Sequence, residues 1–134
     1  MSQENVALVK GIYEAFGAGD VPAVLGAMSG DIVWNEAENF PLADRNPYVG
    51  PDAIVEGVFA RLGSDWEGFT VVPEEYLDAG DTVVMLGRYR GTCRATGRPV
   101  NAQLAHIWRI EGGKAKGFQQ LTDTLQFARA TATE

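Results

Sequence analysis

TVVMLGRYRGTCRATGRPVNAQLAHIWRIEGGKAKGFQQLTDTLQF, residues 82–127, is the stretch that decides the fold. Thr82 to Thr92 is rich in Val, Met, Leu and Tyr and reads as a strand. Thr96-Gly97-Arg98-Pro99 is turn chemistry, and Val100 to Ile110 is a second long strand. Glu111-Gly112-Gly113-Lys114 reads as a hairpin turn, and Ala115 to about Phe127 as the strand that returns from it. Working back towards the N-terminus, Ala79-Gly80-Asp81 is a turn preceded by a strand over residues 66–78, with a bulge or an edge position expected at Pro73. Consecutive strands joined by short turns imply an antiparallel sheet. The Ala/Thr tail beyond Phe127 has nothing to bury, and residues 128–134 are expected to fray.

Upstream the periodicity changes. Residues 4–18 form an amphipathic helix, with Val6, Val9, Tyr13 and Phe16 at three- and four-residue spacing. Gly17 and Gly19 stop it; Asp20 caps a second, short helix with Pro22 in its first turn, and Gly30 ends that one. Asp31 to Glu36 alternates as a strand with Ile32, Trp34 and Glu36 on one face. Residues 37–50 read as a loop, and Pro51 opens a third helix whose buried stripe is Ile54, Val58, Phe59 and Leu62. The order α-α-β-α-β-β-β-β predicts one α+β domain over residues 1–134, a strongly curved antiparallel sheet with three helices on its concave side, enclosing a cone.

Composition narrows the function. The chain has 134 residues, 18 acids against 11 bases and a net charge of −7, a surface that repels phosphate backbones, so no nucleic-acid partner is expected. No apolar run is long enough to span a bilayer and no signal peptide is visible, so no membrane partner is expected. The single cysteine, Cys93, excludes an intrachain disulfide and points to a reducing cytoplasm. One histidine and one cysteine do not make a conventional zinc site, and neither a dinucleotide-binding fingerprint nor a phosphate-binding P-loop is present; cofactor-free chemistry is the economical expectation.

Tyr13-Glu14-Ala15-Phe16 with Gly19-Asp20, Asp31-Ile32-Val33-Trp34, Gly50-Pro51-Asp52-Ala53-Ile54, His106-Ile107-Trp108-Arg109-Ile110 with Gly113-Lys114, and Gln119-Gln120-Leu121-Thr122-Asp123-Thr124 together resemble, in order and spacing, the NTF2-like superfamily. The likeness is to its SnoaL-like polyketide cyclases and ketosteroid-isomerase-related proteins. It covers residues 5–127. It implies an apolar pocket for a small hydrophobic ligand and a homodimer through the outer face of the sheet. The fold hosts many chemistries, so activity rests on the site.

Three polar residues stand where the resemblance puts catalytic groups. Glu36 matches the general-base position of ketosteroid isomerases; beside Trp34 its pKa should rise, and the alternative is an exposed acid beside Glu38. His106 takes the place of an oxyanion-hole acid and could donate to an enolate or relay a proton; the alternative is a satisfied core histidine. Asp123 matches the proton-abstracting acid of SnoaL-like cyclases, and pairing about Gly112-Gly113 brings residues 119–123 opposite 102–106, so an Asp123–His106 contact is expected, catalytic or structural. Trp34, Tyr13, Tyr48, Phe59, Trp108 and Gln119 are the expected ligand contacts. Two departures are visible. Ile12 holds the ungapped place of the isomerase tyrosine, with Tyr13 about 100° further round the helix. Arg88-Tyr89-Arg90 lacks the acid of limonene-type epoxide hydrolases. Either isomerisation or cyclisation of a hydrophobic carbonyl compound, or ligand binding without catalysis, fits these residues.

Overall fold

The computed structural model describes residues 2–133. Helix α1 (Ser2–Gly17) and the short α2 (Val21–Gly26) are followed by β1 (Met28–Asn35), a 3-10 turn (Pro41–Arg45) and a two-residue strand β2 (Tyr48–Val49). Helix α3 (Pro51–Ile54) runs through a π turn (Val55–Phe59) into α4 (Ala60–Asp65). Four long strands come next, β3 (Trp66–Ala79), β4 (Thr82–Cys93), β5 (Pro99–Glu111) and β6 (Lys114–Thr122), and the chain ends in α5 (Thr124–Thr131).

The local signals act as their chemistry dictates. The Asp20 side chain accepts the amide hydrogen of Ala23 at 3.2 Å, capping α2. Gly112 and Gly113, with φ of 59° and 75°, make the two-residue turn that sets Glu111 opposite Lys114. The register of β3 on β4 shifts between Pro73 and Glu75, the bulge expected at the proline, and β3 is an edge strand. On β4, Gly87 faces the Val72 carbonyl so closely that no side chain fits there.

The six strands lie in the order β2-β1-β6-β5-β4-β3. All neighbours are antiparallel except β1 and β6, which run parallel, so the expected antiparallel sheet is in fact mixed at the side where the chain returns from β5 to lie beside β1. The inner face carries Ile32 and Trp34 from β1, Met85 and Tyr89 from β4, and Trp108 and Phe118 from β5 and β6, all buried. Val9, Ile12 and Tyr13 of α1 close over it, each apolar side chain worth about 1.5–3 kcal/mol on full burial. The outer face exposes Val33, Leu77 and Leu121.

Two sequence expectations give way at the C-terminus. The last strand stops at Thr122 rather than near Phe127, and most of the segment expected to fray is α5; Glu134 lies outside the described residues. The cause is local and tertiary together. Asp123 caps the helix by accepting from the Gln126 amide at 3.4 Å, and Phe127, fully buried, packs edge-on against Phe40, Trp66 and Tyr89.

Candidate functional site

The sheet and helices leave a cavity with about 50 Å³ of space that water centres can reach. One water needs about 10–15 Å³ on that measure, so the space suits several waters or a ligand of roughly one ring. Its walls are mainly aromatic, among them Phe16, Trp34, Phe59, Phe69, Trp108 and Phe118. Five polar side chains interrupt them: Tyr13, Glu36, Tyr89, His106 and Gln120.

Glu36 follows the last residue of β1, and its backbone is clamped. Its amide hydrogen is donated to Asn46 Oδ1 at 3.0 Å, while Asn46 Nδ2 donates to its carbonyl at 2.8 Å. The next amide, of Ala37, is donated to Gln120 Oε1 at 3.0 Å. The side chain thus points inward and is only 3% exposed. Trp34 Nε1 donates to Oε1 at 3.1 Å, and Oε2 is the one buried side-chain polar atom without a partner among the described residues. Burial without a counter-charge pushes the Glu36 pKa up from 4.5 to about 7, against the smaller pull of the Trp34 hydrogen bond.

His106 lies on the inner face of β5, opposite Gln120 of β6 and Met85 of β4. Both ring nitrogens are engaged: Nδ1 lies 2.6 Å from the Tyr13 hydroxyl and Nε2 lies 2.5 Å from the Tyr89 hydroxyl. Trp108 Nε1 donates to the Tyr13 oxygen at 2.8 Å, and Gln120 Nε2 donates to the Tyr89 oxygen at 2.8 Å. Burial lowers the His106 pKa from 6.5 to about 3, which keeps the ring neutral. The same burial holds both tyrosines well above their ordinary pKa, so they remain hydroxyl donors.

Of the residues singled out in the sequence, Glu36, His106, Tyr13, Trp34, Phe59 and Trp108 are brought together around this cavity. Three are not. Asp123 is exposed and caps α5, so it neither faces the cavity nor meets His106. Gln119 points away from the cavity, its side chain donating to the Gln120 carbonyl at 2.8 Å, because the inward phase of β6 is set by Phe118 and Gln120. Tyr48 is buried outside the cavity, its ring against Gly57 and its hydroxyl donating to the Leu42 carbonyl at 2.5 Å. Tyr89 and Gln120 are the two polar wall residues that sequence reasoning missed. The signal was period-two alternation, from Met85 to Tyr89 around Gly87 and from Phe118 to Gln120. The one-residue offset of Tyr13 does not remove it from the site: it reaches His106 from α1.

The comparisons with known proteins agree with this fold. Residues 9–118 match the model of the SnoaL-like domain. An NTF2-like protein from Burkholderia thailandensis is 40% identical with a TM-score of 0.91, covering 95% of this chain and 96% of its own. TerC, co-crystallised with polyporic acid, is 25% identical with a TM-score of 0.84, covering 95% and 97%. A hypothetical protein from Catenulispora acidiphila with a ketosteroid-isomerase-like fold, in complex with trimethylamine, is 20% identical with a TM-score of 0.71 over 85% and 83%, a likeness of fold. Among curated proteins none matches. The family model spans most of the chain: this protein belongs to the SnoaL-like family, on the NTF2-like fold.

Proposed function

We propose that the cavity takes a small apolar carbonyl compound and that Glu36 abstracts a proton from the carbon beside its carbonyl, without a cofactor, leading to isomerisation or cyclisation. The observation that carries the reading is the unpartnered Glu36 Oε2 in an aromatic cavity, on a carboxyl whose pKa stands at about 7. A base poised there is half-ionised near neutrality and accepts a carbon-bound proton more readily than an ordinary carboxylate. The negative charge that develops on the substrate oxygen would be met by hydroxyl donors of the Tyr13–His106–Tyr89 array rather than by His106 itself, both of whose nitrogens are already bonded. The homodimer expected of the family belongs to the same reading, with Val33, Leu77 and Leu121 exposed on the sheet face turned away from the cavity.

The test is hydrogen exchange in heavy water. One-ring ketones and enones should exchange the hydrogen beside the carbonyl faster with protein than in buffer. Glu36→Gln should abolish the acceleration and Asp123→Asn should preserve it. Equal exchange by wild type and Glu36→Gln would overturn the assignment. A second reading, binding without turnover, is favoured by the tight closure of the polar array, and predicts ligand binding with no exchange at any pH.

A further inference from the structure

The hydrogen-bond geometry around His106 constrains where protons can be. Trp108 Nε1 has only a hydrogen to give, so the Tyr13 oxygen accepts from it. The Gln120 amide is fixed in the same sense, because its oxygen accepts from the Ala37 amide and its nitrogen must therefore donate to Tyr89. Between the two tyrosine oxygens sits a neutral imidazole with one N–H and one lone pair. Two hydroxyl hydrogens and one ring hydrogen serve two hydrogen bonds, so one hydrogen is left over.

That remaining hydrogen has a defined place. If Nδ1 carries the ring hydrogen, it donates to Tyr13, Tyr89 donates to Nε2, and the Tyr13 hydroxyl hydrogen is free. In the other tautomer the Tyr89 hydroxyl hydrogen is free. Both tyrosines line the cavity, and so does Glu36, whose Oε2 is buried with no partner and is an acceptor once the carboxyl is ionised. The cavity therefore offers one unused donor and one unused acceptor inside aromatic walls. Burial raises the cost of leaving either unpaired, and a ligand that satisfies both recovers it.

We propose that the site selects an uncharged one-ring compound bearing a hydroxyl, a phenol or an enol, whose oxygen accepts the surplus tyrosine hydrogen and whose O–H is donated to Glu36 Oε2. His106 acts as a positioning residue: its tautomer sets which tyrosine presents the hydrogen. This rests on the reading of the cavity as a ligand site and gives it a ligand class. It does not require turnover.

The test uses three para-substituted fluorobenzenes read by fluorine NMR on the whole chain: para-fluorophenol, para-fluoroanisole and para-fluorotoluene. The anisole can only accept and the toluene does neither. With wild type at about pH 8.5, where the Glu36 carboxyl is ionised, the phenol should bind about tenfold tighter than the anisole, the worth of a hydrogen bond to a charged acceptor, and the anisole tighter than the toluene. In Glu36→Gln the Trp34 N–H holds the amide oxygen, which places the NH2 group where Oε2 was and turns the acceptor into a donor. The phenol should then lose its advantage and the anisole should bind at least as well. Nitrogen chemical shifts of the single histidine should report a neutral ring with and without the phenol.

Three results would each overturn the proposal: affinities for the three rings within about twofold of one another in wild type, no binding of the phenol at millimolar concentration, or a ring protonated on both nitrogens. None of these rings has an acidic C–H beside a carbonyl. The binding order therefore stands or falls separately from the exchange assay.

Discussion

Replacing Glu36 by glutamine should stabilise the protein much more at high pH than at low pH. The native carboxyl holds its proton up to about pH 7, whereas the unfolded chain releases it near 4.5. Between those values the native state binds more protons than the unfolded state, so stability is fully present below the unfolded pKa and falls as pH rises towards the native one. For a shift of this size the loss is about 0.8 kcal/mol at pH 5 and about 3.4 kcal/mol at pH 8.5, a difference of roughly 2.5 kcal/mol. His106 acts in the opposite sense. Its native pKa of about 3 against 6.5 costs stability as pH falls below 6.5, but both proteins carry it and it cancels in the comparison. The misplaced NH2 group of the glutamine costs the same at both pH values and cancels too. The assay is urea denaturation of wild type and variant at the two pH values. With an m-value of about 1–3 kcal/mol per molar, the variant's midpoint should gain roughly 0.8–2.5 M on wild type between them. A variant whose stability relative to wild type is the same at both pH values would show that Glu36 titrates as an ordinary carboxyl, and with that the poised base would be lost.

Further expectations follow from other parts of the molecule. The His106 ring should show no protonation by NMR down to about pH 4, and a midpoint near the ordinary 6.5 would contradict its burial between Tyr13 and Tyr89. Asp123→Ala should cost about 1 kcal/mol by loss of the α5 cap and leave exchange activity and ligand affinity unchanged; lost activity in a folded variant would restore Asp123 to the site. Gly57→Ala should cost about 1–3 kcal/mol in chemical denaturation, because its Cβ would overlap the Tyr48 ring, and a neutral effect would mean that the ring moves aside freely. Gly87→Ala should be at least as costly, since its Cβ meets the Val72 backbone carbonyl, which has no rotamer to escape into; unchanged stability would contradict the close approach of β3 to β4.

Much of the architecture was legible in the residues themselves. Gly112-Gly113 sets a hairpin because only residues free to adopt positive φ make that turn, and Pro73 forces a bulge because it has no amide hydrogen for the ladder. Alternation through Trp34 turned Glu36 inward, and the same period from Trp108 turned His106 inward. These are properties of short segments, fixed by local sterics and side-chain period. The tertiary structure alone decided the rest. Thr124–Thr131 is helical because Phe127 finds a pocket among Phe40, Trp66 and Tyr89, which lie far away in the chain, and that removes Asp123 from the site and makes it a cap. The engagement of both His106 nitrogens, and the solitary Oε2 of Glu36, depend on α1, β4, β5 and β6 meeting over one cavity. Pattern within a segment tells which way a side chain faces; only the packing of several segments tells what it faces, and hydrogen-bond partnership and pKa follow from that.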